Sequence, residues 1–227
     1  MAAWQPEGML SPRQNYMLSR LHEGMKTVSV ISQKGGAGKT TLAVHLATAA
    51  QRAGLTTAVV DLDPQATARR WGDKRSAAPE VVSDHAVRLP ALLDAARANG
   101  ADMVFVDTAP NADQAALGAA RAADLVLIPC RPSAFDLEAI EATLTLAELA
   151  KKPAAVILNA AAPRSGLTSE ARAALTAKGA KVVPVVVHQR AAFVSSVIDG
   201  RTAMELEPGG KAAAEIVRLW EWVHGQA

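Results

Sequence analysis

Gln33-Lys34-Gly35-Gly36-Ala37-Gly38-Lys39-Thr40-Thr41 is the stretch on which the reading of this chain turns. It follows a short apolar run, Thr27-Val28-Ser29-Val30-Ile31, and leads into an apolar-periodic segment, Leu42-Ala43-Val44-His45-Leu46-Ala47. A strand, a glycine-rich turn and a helix start, in that order, make a phosphate-binding loop. The glycines let backbone N–H groups converge on phosphate oxygens without Cβ clashes, and the helix N-terminus adds the positive end of its dipole. Lys39 is placed to reach the β- and γ-phosphates, and the Thr40 hydroxyl to sit on Mg2+. The pattern departs from G-x-x-x-x-G-K-[ST] at its first glycine, where Gln33 stands, and it carries a second lysine, Lys34, inside the loop. A dinucleotide fingerprint is excluded. With G-x-G started at Gly36 and Gly38, the third glycine falls on Thr41, whose side chain would crowd helix–strand packing. The loop reads as a nucleoside triphosphate site.

Beyond the first helix, which Gly54 stops, Thr56-Thr57-Ala58-Val59-Val60-Asp61 is apolar without alternation, as expected of a parallel strand buried on both faces. Asp61 and Asp63 follow at its carboxyl end, where open α/β sheets bind their ligands. Asp63 also stands where it could cap the helix that runs from Ala66 to Trp71, and capping and catalysis are compatible. Met103-Val104-Phe105-Val106-Asp107 repeats the pattern: four apolar residues ending in an aspartate, the form of a Walker B strand whose carboxylate holds Mg2+ directly or through water.

The remaining pattern alternates in the same way. A short strand is expected at Val81-Val82, then helices at Leu89–Ala98 and near Ala112 to Ala122. A strand at Leu125 to Pro129 precedes a long helix from Ala134 to Ala150. A strand over Ala154 to Leu158 ends at Asn159, a helix covers Thr168 to Lys178, and the last strand, Val182 to Val187, contains Pro184 and so belongs near an edge. Helices near Ala191 to Ile198 and Gly210 to Val223 close the chain. Strands alternating with helices imply an α/β fold: a doubly wound, mainly parallel sheet flanked by helices, of the P-loop NTPase type and in a single domain over residues 25–227. Residues 1–24 read as an N-terminal extension, a flexible tail or a partner-docking segment, and Met25 begins a plausible chain on its own.

At 227 residues the chain is long enough for one large α/β domain, and a net charge of +2 places no overall field that would force a nucleic-acid or membrane reading. A single cysteine, Cys130, allows no internal disulfide and fits a reducing cytoplasm. With no long uncharged apolar stretch and no signal-peptide core, the expectation is a soluble cytoplasmic protein.

Taken together, Lys34 to Thr40, Asp61-Leu62-Asp63-Pro64-Gln65 and Val106-Asp107-Thr108-Ala109-Pro110 resemble the ParA/MinD ATPases, the deviant-Walker-A group that positions plasmids, chromosomes, division sites and protein clusters. The likeness runs from about Lys26 to Val223 and includes the Ala192 to Thr202 stretch. It implies ATP and Mg2+ as ligands, cradled by Gly35, Gly36, Ala37, Gly38, Lys39, Thr40 and Thr41, with Thr41 at the α-phosphate and Thr40 and Asp107 at the metal. It implies that Lys34 reaches the partner subunit's phosphates in an ATP-sandwich homodimer, a role its point charge suits. It implies that Asp63 positions the attacking water, with Asp61 its companion, and that Asn159 reads the adenine edge. A polar turn residue satisfied by its surroundings is the other reading of Asn159.

Within that group the nitrogenase-iron-protein branch needs two cysteines per subunit, and Cys130 alone does not supply them. The tyrosine-kinase branch carries a tyrosine-rich tail, and Tyr16 is the only tyrosine here. Ile216, Leu219, Trp220 and Val223 recur at i, i+3, i+4 and i+7. The polar side of that helix, however, offers Glu215 and Glu221 against Arg218, too few cations for a membrane-surface helix. Core packing, with no membrane partner, is the expectation. The ParA-like branch remains: an ATP-dependent dimer on non-specific DNA, nucleoid-associated when ATP-bound. A ParB-like or cargo adaptor would stimulate its slow hydrolysis, the cargo being a plasmid, a chromosome or a protein assembly. Candidate phosphate contacts are Arg164, Arg172, Lys178, Lys181, Arg190, Arg201, Lys211 and Arg218. The alternatives are a MinD-like membrane-associated ATPase and a metabolic P-loop enzyme of the dethiobiotin-synthetase kind.

Overall fold

The structure is a computed structural model and describes residues 24–227; the extension expected over residues 1–24 lies, but for Gly24, outside the described residues. Seven strands form one sheet: β1 (Lys26–Val30), β2 (Thr57–Asp61), β3 (Glu80–Ser83), β4 (Met103–Asp107), β5 (Leu125–Cys130), β6 (Ala154–Ala161) and β7 (Val182–His188). Their order is β3-β2-β4-β1-β5-β6-β7, and every pairing is parallel. β1 lies between β4 and β5, so successive strands are laid down on both sides of it. This is the switch point of a doubly wound sheet, and the crevice at its carboxyl end is where such folds bind ligands.

Side chains alternate between the two faces, as the period of an extended strand requires. Val28, Met103, Phe105, Leu125 and Leu127 enter one core; Val104, Val106, Val126 and Ile128 enter the other. The first core is closed by α1 (Lys39–Arg52), α2 (Thr67–Gly72), α7 (Ala191–Ser196), α8 (Ala203–Leu206) and α9 (Lys211–His224). The second is covered by α3 (Leu89–Ala98), α4 (Asp113–Ala122), α5 (Ala134–Ala150) and α6 (Leu167–Ala177). Alanines at the helix–sheet contacts, among them Ala43, Ala47, Ala119 and Ala120, are almost wholly buried and let helices approach the sheet closely.

On α9, Ile216, Leu219, Trp220 and Val223 are at most 5% exposed, and Trp220 meets Phe105 edge-on at 6.5 Å. At roughly 1.5–3 kcal/mol for each large apolar side chain buried, this face is core and not a membrane surface. No helix among the described residues is long and apolar enough to cross a membrane. Pro184 sits on β7, an edge strand, as its missing N–H requires.

Two elements differ from the sequence expectation. β6 does not end at Asn159 but runs on to Ala161, which pairs with His188; the ladder is interrupted there by register shifts, with Ala160 at a φ of 49°. α8 is a single turn held by a reciprocal cap between Thr202 and Glu205, too short to show a hydrophobic period.

Candidate nucleotide-binding site

The loop after β1 is shaped by positions that only glycine fills. Gly36 and Gly38 have φ of 72° and 97°, and a Cβ on Gly38 would lie 2.3 Å from Asn159 Nδ2. Among the described residues the backbone N–H groups from Gly35 to Thr41 have no acceptor; Leu42 is the first to enter the helix ladder, on the Gly38 carbonyl at 3.0 Å. α1 has no side-chain cap and no acid in its first turn. A row of free donors at a helix N-terminus, with no protein anion to answer it, is an anion cradle.

The two loop lysines are placed differently. Lys39 is buried and lines the cavity at this loop, its Nζ donating to the Lys34 carbonyl at 3.4 Å. Burial lowers its pKa, against the attraction of Asp107 and Asp63. Lys34 is half-buried and does not line that cavity.

Asp107 ends β4 and is fully buried. Its Oδ2 accepts the Thr40 hydroxyl at 2.6 Å, while Oδ1 has no hydrogen-bond partner. Burial pushes its pKa up to about 7, opposed by the Thr40 bond and assisted by the charge of Asp61. An orphaned carboxylate oxygen beside the hydroxyl of a phosphate-loop threonine is what a Mg2+ site looks like before the cation adds its charge. The residues present therefore fit the ion.

Asp61 is paired in register with Asp107 and is equally buried, and both of its oxygens are engaged by the backbone. One oxygen accepts the Asp63 N–H at 3.0 Å and the other the Arg69 N–H at 3.0 Å, tying the loop to α2. Asp61, not Asp63, thus does the anchoring at this strand end. Asp63 accepts only the N–H of Gln65, at 2.9 Å, and lines the cavity.

The cavity, of about 500 Å3, runs along the carboxyl edge of the sheet from β1 across β5 and β6 to β7. Asn159 is buried within it and donates to the Ala37 carbonyl at 2.7 Å, so one N–H of its amide is committed to holding the loop. Arg131, immediately after β5, lines the cavity and donates to the Gly36 carbonyl. His188, Gln189 and Arg190, at the end of β7, close the far end with Phe193. The sequence reading assigned no nucleotide-site role to Arg131 or to the β7 residues. The rule that ligands bind at strand carboxyl ends, applied to every strand and not only to those ending in aspartate, would have found them.

Most of the basic residues expected to face DNA are engaged elsewhere. Arg190 is paired with Glu215 and Arg201 with Asp199. Lys178 meets Glu141, Arg172 donates to the Val183 and Pro184 carbonyls, and Lys181 meets Gln226 and the face of Trp222. Arg164, Lys211 and Arg218 have no acidic partner among the described residues.

Residues 28–203 match the model of the CobQ/CobB/MinD/ParA nucleotide binding domain. The chain is 32% identical over 200 residues to "Maintenance of carboxysome distribution protein A" of Halothiobacillus neapolitanus, covering 83% of this chain and 91% of the relative. It is 36% identical over 209 residues to the protein of the same name from Gloeobacter kilaueensis, covering 86% and 95%. In fold it is similar to an ATP complex of Cyanothece McdA, with a TM-score of 0.74 at 19% identity over 90% of this chain and 98% of that one. The glycine cradle, the strand-end carboxylates and the matched length agree: this chain belongs to the CobQ/CobB/MinD/ParA nucleotide-binding family.

Proposed function

We propose that this protein is a Mg2+-dependent ATPase switch whose ATP-bound homodimer holds non-specific DNA and positions a cargo. The observation that carries the reading is the division between the two loop lysines: Lys39 lines its own cavity and Lys34 does not. A cation in the loop that does not line its own subunit's site suits a site completed by a second subunit. The loop amides and Lys39 hold the phosphates, Thr40 and Asp107 hold Mg2+, and Asp63 orients the attacking water. The ion supplies positive charge to the phosphate oxygens when bound. Asn159 Oδ1 and the second N–H of its amide are left for the adenine edge. Closure through Lys34 couples ATP to dimerisation, and hydrolysis, slow until an adaptor arrives, reopens the dimer in the cytoplasm.

The two relatives named for carboxysome distribution favour a large protein assembly as cargo over a plasmid or chromosome. Arg164, Lys211 and Arg218, left without acids, are the first candidates for DNA phosphates, and two copies double whatever patch they form. Co-sedimentation with non-specific duplex DNA, without nucleotide, with ADP and with ATP, tests this. Retention only with ATP, weakening steeply with salt and absent in Lys34→Ala, is the expected result. No retention in any nucleotide state overturns the DNA-tethered reading and returns attention to small-molecule acceptors.

A further inference from the structure

Of the acidic side chains buried among the described residues, Asp61 and Asp107 belong to the phosphate end of the cavity. Glu215 does not. It stands on α9, 3% exposed, and is spent entirely on the chain where β7 passes into α7. It accepts the His188 backbone N–H at 3.1 Å and bonds His188 Nδ1 at 2.8 Å. It also accepts Arg190 Nε at 3.1 and 3.2 Å and Nη2 at 2.5 Å. Burial alone would raise its pKa, but the Arg190 and His188 bonds hold it below the ordinary glutamate range. One carboxylate therefore fixes both residues that flank Gln189, and His188, Gln189 and Arg190 all line the cavity at the end farthest from the phosphate loop.

Position along the sheet says which part of a ligand lies there. With the phosphates at β1, the cavity continues over β5 and β6 to β7, three strand spacings of about 4.8 Å each. That span leads away from the triphosphate towards ribose and base. The bond to Glu215 occupies His188 Nδ1 and leaves Nε2 as the ring nitrogen without a protein partner among the described residues. His188 and Gln189 give that wall the hydrogen-bonding groups that tell one purine edge from another.

We infer that Glu215 is a positioning residue for the base end of the bound nucleotide: by holding His188 and Arg190 it sets the wall that selects the base, and it makes the C-terminal helix part of that selection. The inference rests on reading the cavity as a nucleotide site.

The test is direct binding of Mg-ADP, Mg-GDP and inorganic tripolyphosphate to the full chain, to Glu215→Gln and to Arg190→Gln, with thermal melting as the folding control. Glu215→Gln should weaken ADP about tenfold and narrow the ADP-to-GDP preference, while tripolyphosphate binding stays within about twofold. Arg190→Gln should do the same, and the double variant should fall short of the sum, since the two side chains act as one unit. Equal losses of ADP and tripolyphosphate would reduce Glu215 to a scaffold residue and overturn the inference, as would unchanged ADP binding. Should Glu215→Gln fail to fold, the Arg190→Gln measurement decides by the same criteria. A wild-type chain that binds no nucleotide would instead sink the nucleotide-site reading itself.

Discussion

The Thr40 hydroxyl donates a 2.6 Å hydrogen bond to one oxygen of Asp107, and the other oxygen of that carboxylate is buried without a partner. The arrangement joins the first turn of α1 to the end of β4 and leaves a hard oxygen ligand without a protein partner beside the phosphate loop. Asp107→Asn removes the charge and keeps the shape. It should weaken the magnesium-dependent part of ADP binding by about tenfold or more and leave magnesium-free binding nearly unchanged, as titration calorimetry with and without the ion would measure.

Lys39 and Asp63 line the same cavity and should fail differently. Lys39→Ala removes a buried cation from the phosphates and should weaken ATP about a hundredfold or more. Asp63→Ala removes no phosphate contact, so ATP binding and dimerisation should persist while turnover falls about a hundredfold or more. Phosphate release and filter binding on the same samples separate the two. Normal hydrolysis by Asp63→Ala would remove the water-positioning assignment.

His45 is wholly buried behind the phosphate loop, its Nδ1 on the Thr41 carbonyl at 2.8 Å and its Nε2 accepting the Ala203 N–H at 3.0 Å. Burial pushes its pKa down to about 4 from 6.5. The unfolded chain therefore binds more protons than the folded one between those values. The stability this histidine contributes is complete above pH 6.5 and is lost as pH falls towards 4. The difference amounts to about 3 kcal/mol. Melting temperature should drop between pH 7 and pH 4.5, and His45→Gln should flatten that part of the profile at the cost of lower stability at pH 7.

The apolar face of α9 is core, so its truncation should cost folding and not membrane binding. Ile216→Ala, at a wholly buried position, should destabilise the chain by about 3 kcal/mol in a denaturant melt. Wild-type protein with ATP should not co-sediment with anionic liposomes. Retention there would revive the membrane-associated alternative.

The phosphate loop, the strand-end aspartates and the order of strands and helices were legible because each is local. Glycines, apolar runs and helix periods act over a few residues, so β1, α1, β4 and the place of Asp107 follow from reading along the chain. The turn of α8 and the continuation of β6 past Asn159 were not legible, since a single helical turn has no period and a strand's end depends on whether a neighbour still pairs with it.

The amino-acid sequence by itself determined the fold class, the anion cradle from Gly35 to Thr41 and the carboxylate at its edge, because backbone conformation and strand burial are set by residue type and spacing. Only the tertiary structure decided which polar groups are already spent. Asp61 is consumed by the N–H groups of Asp63 and Arg69, one N–H of Asn159 by the Ala37 carbonyl, and Arg190 by Glu215. These partners come from distant segments or from a folded loop, and whether a charged side chain is free or answered is a property of packing that its own neighbours in sequence do not carry.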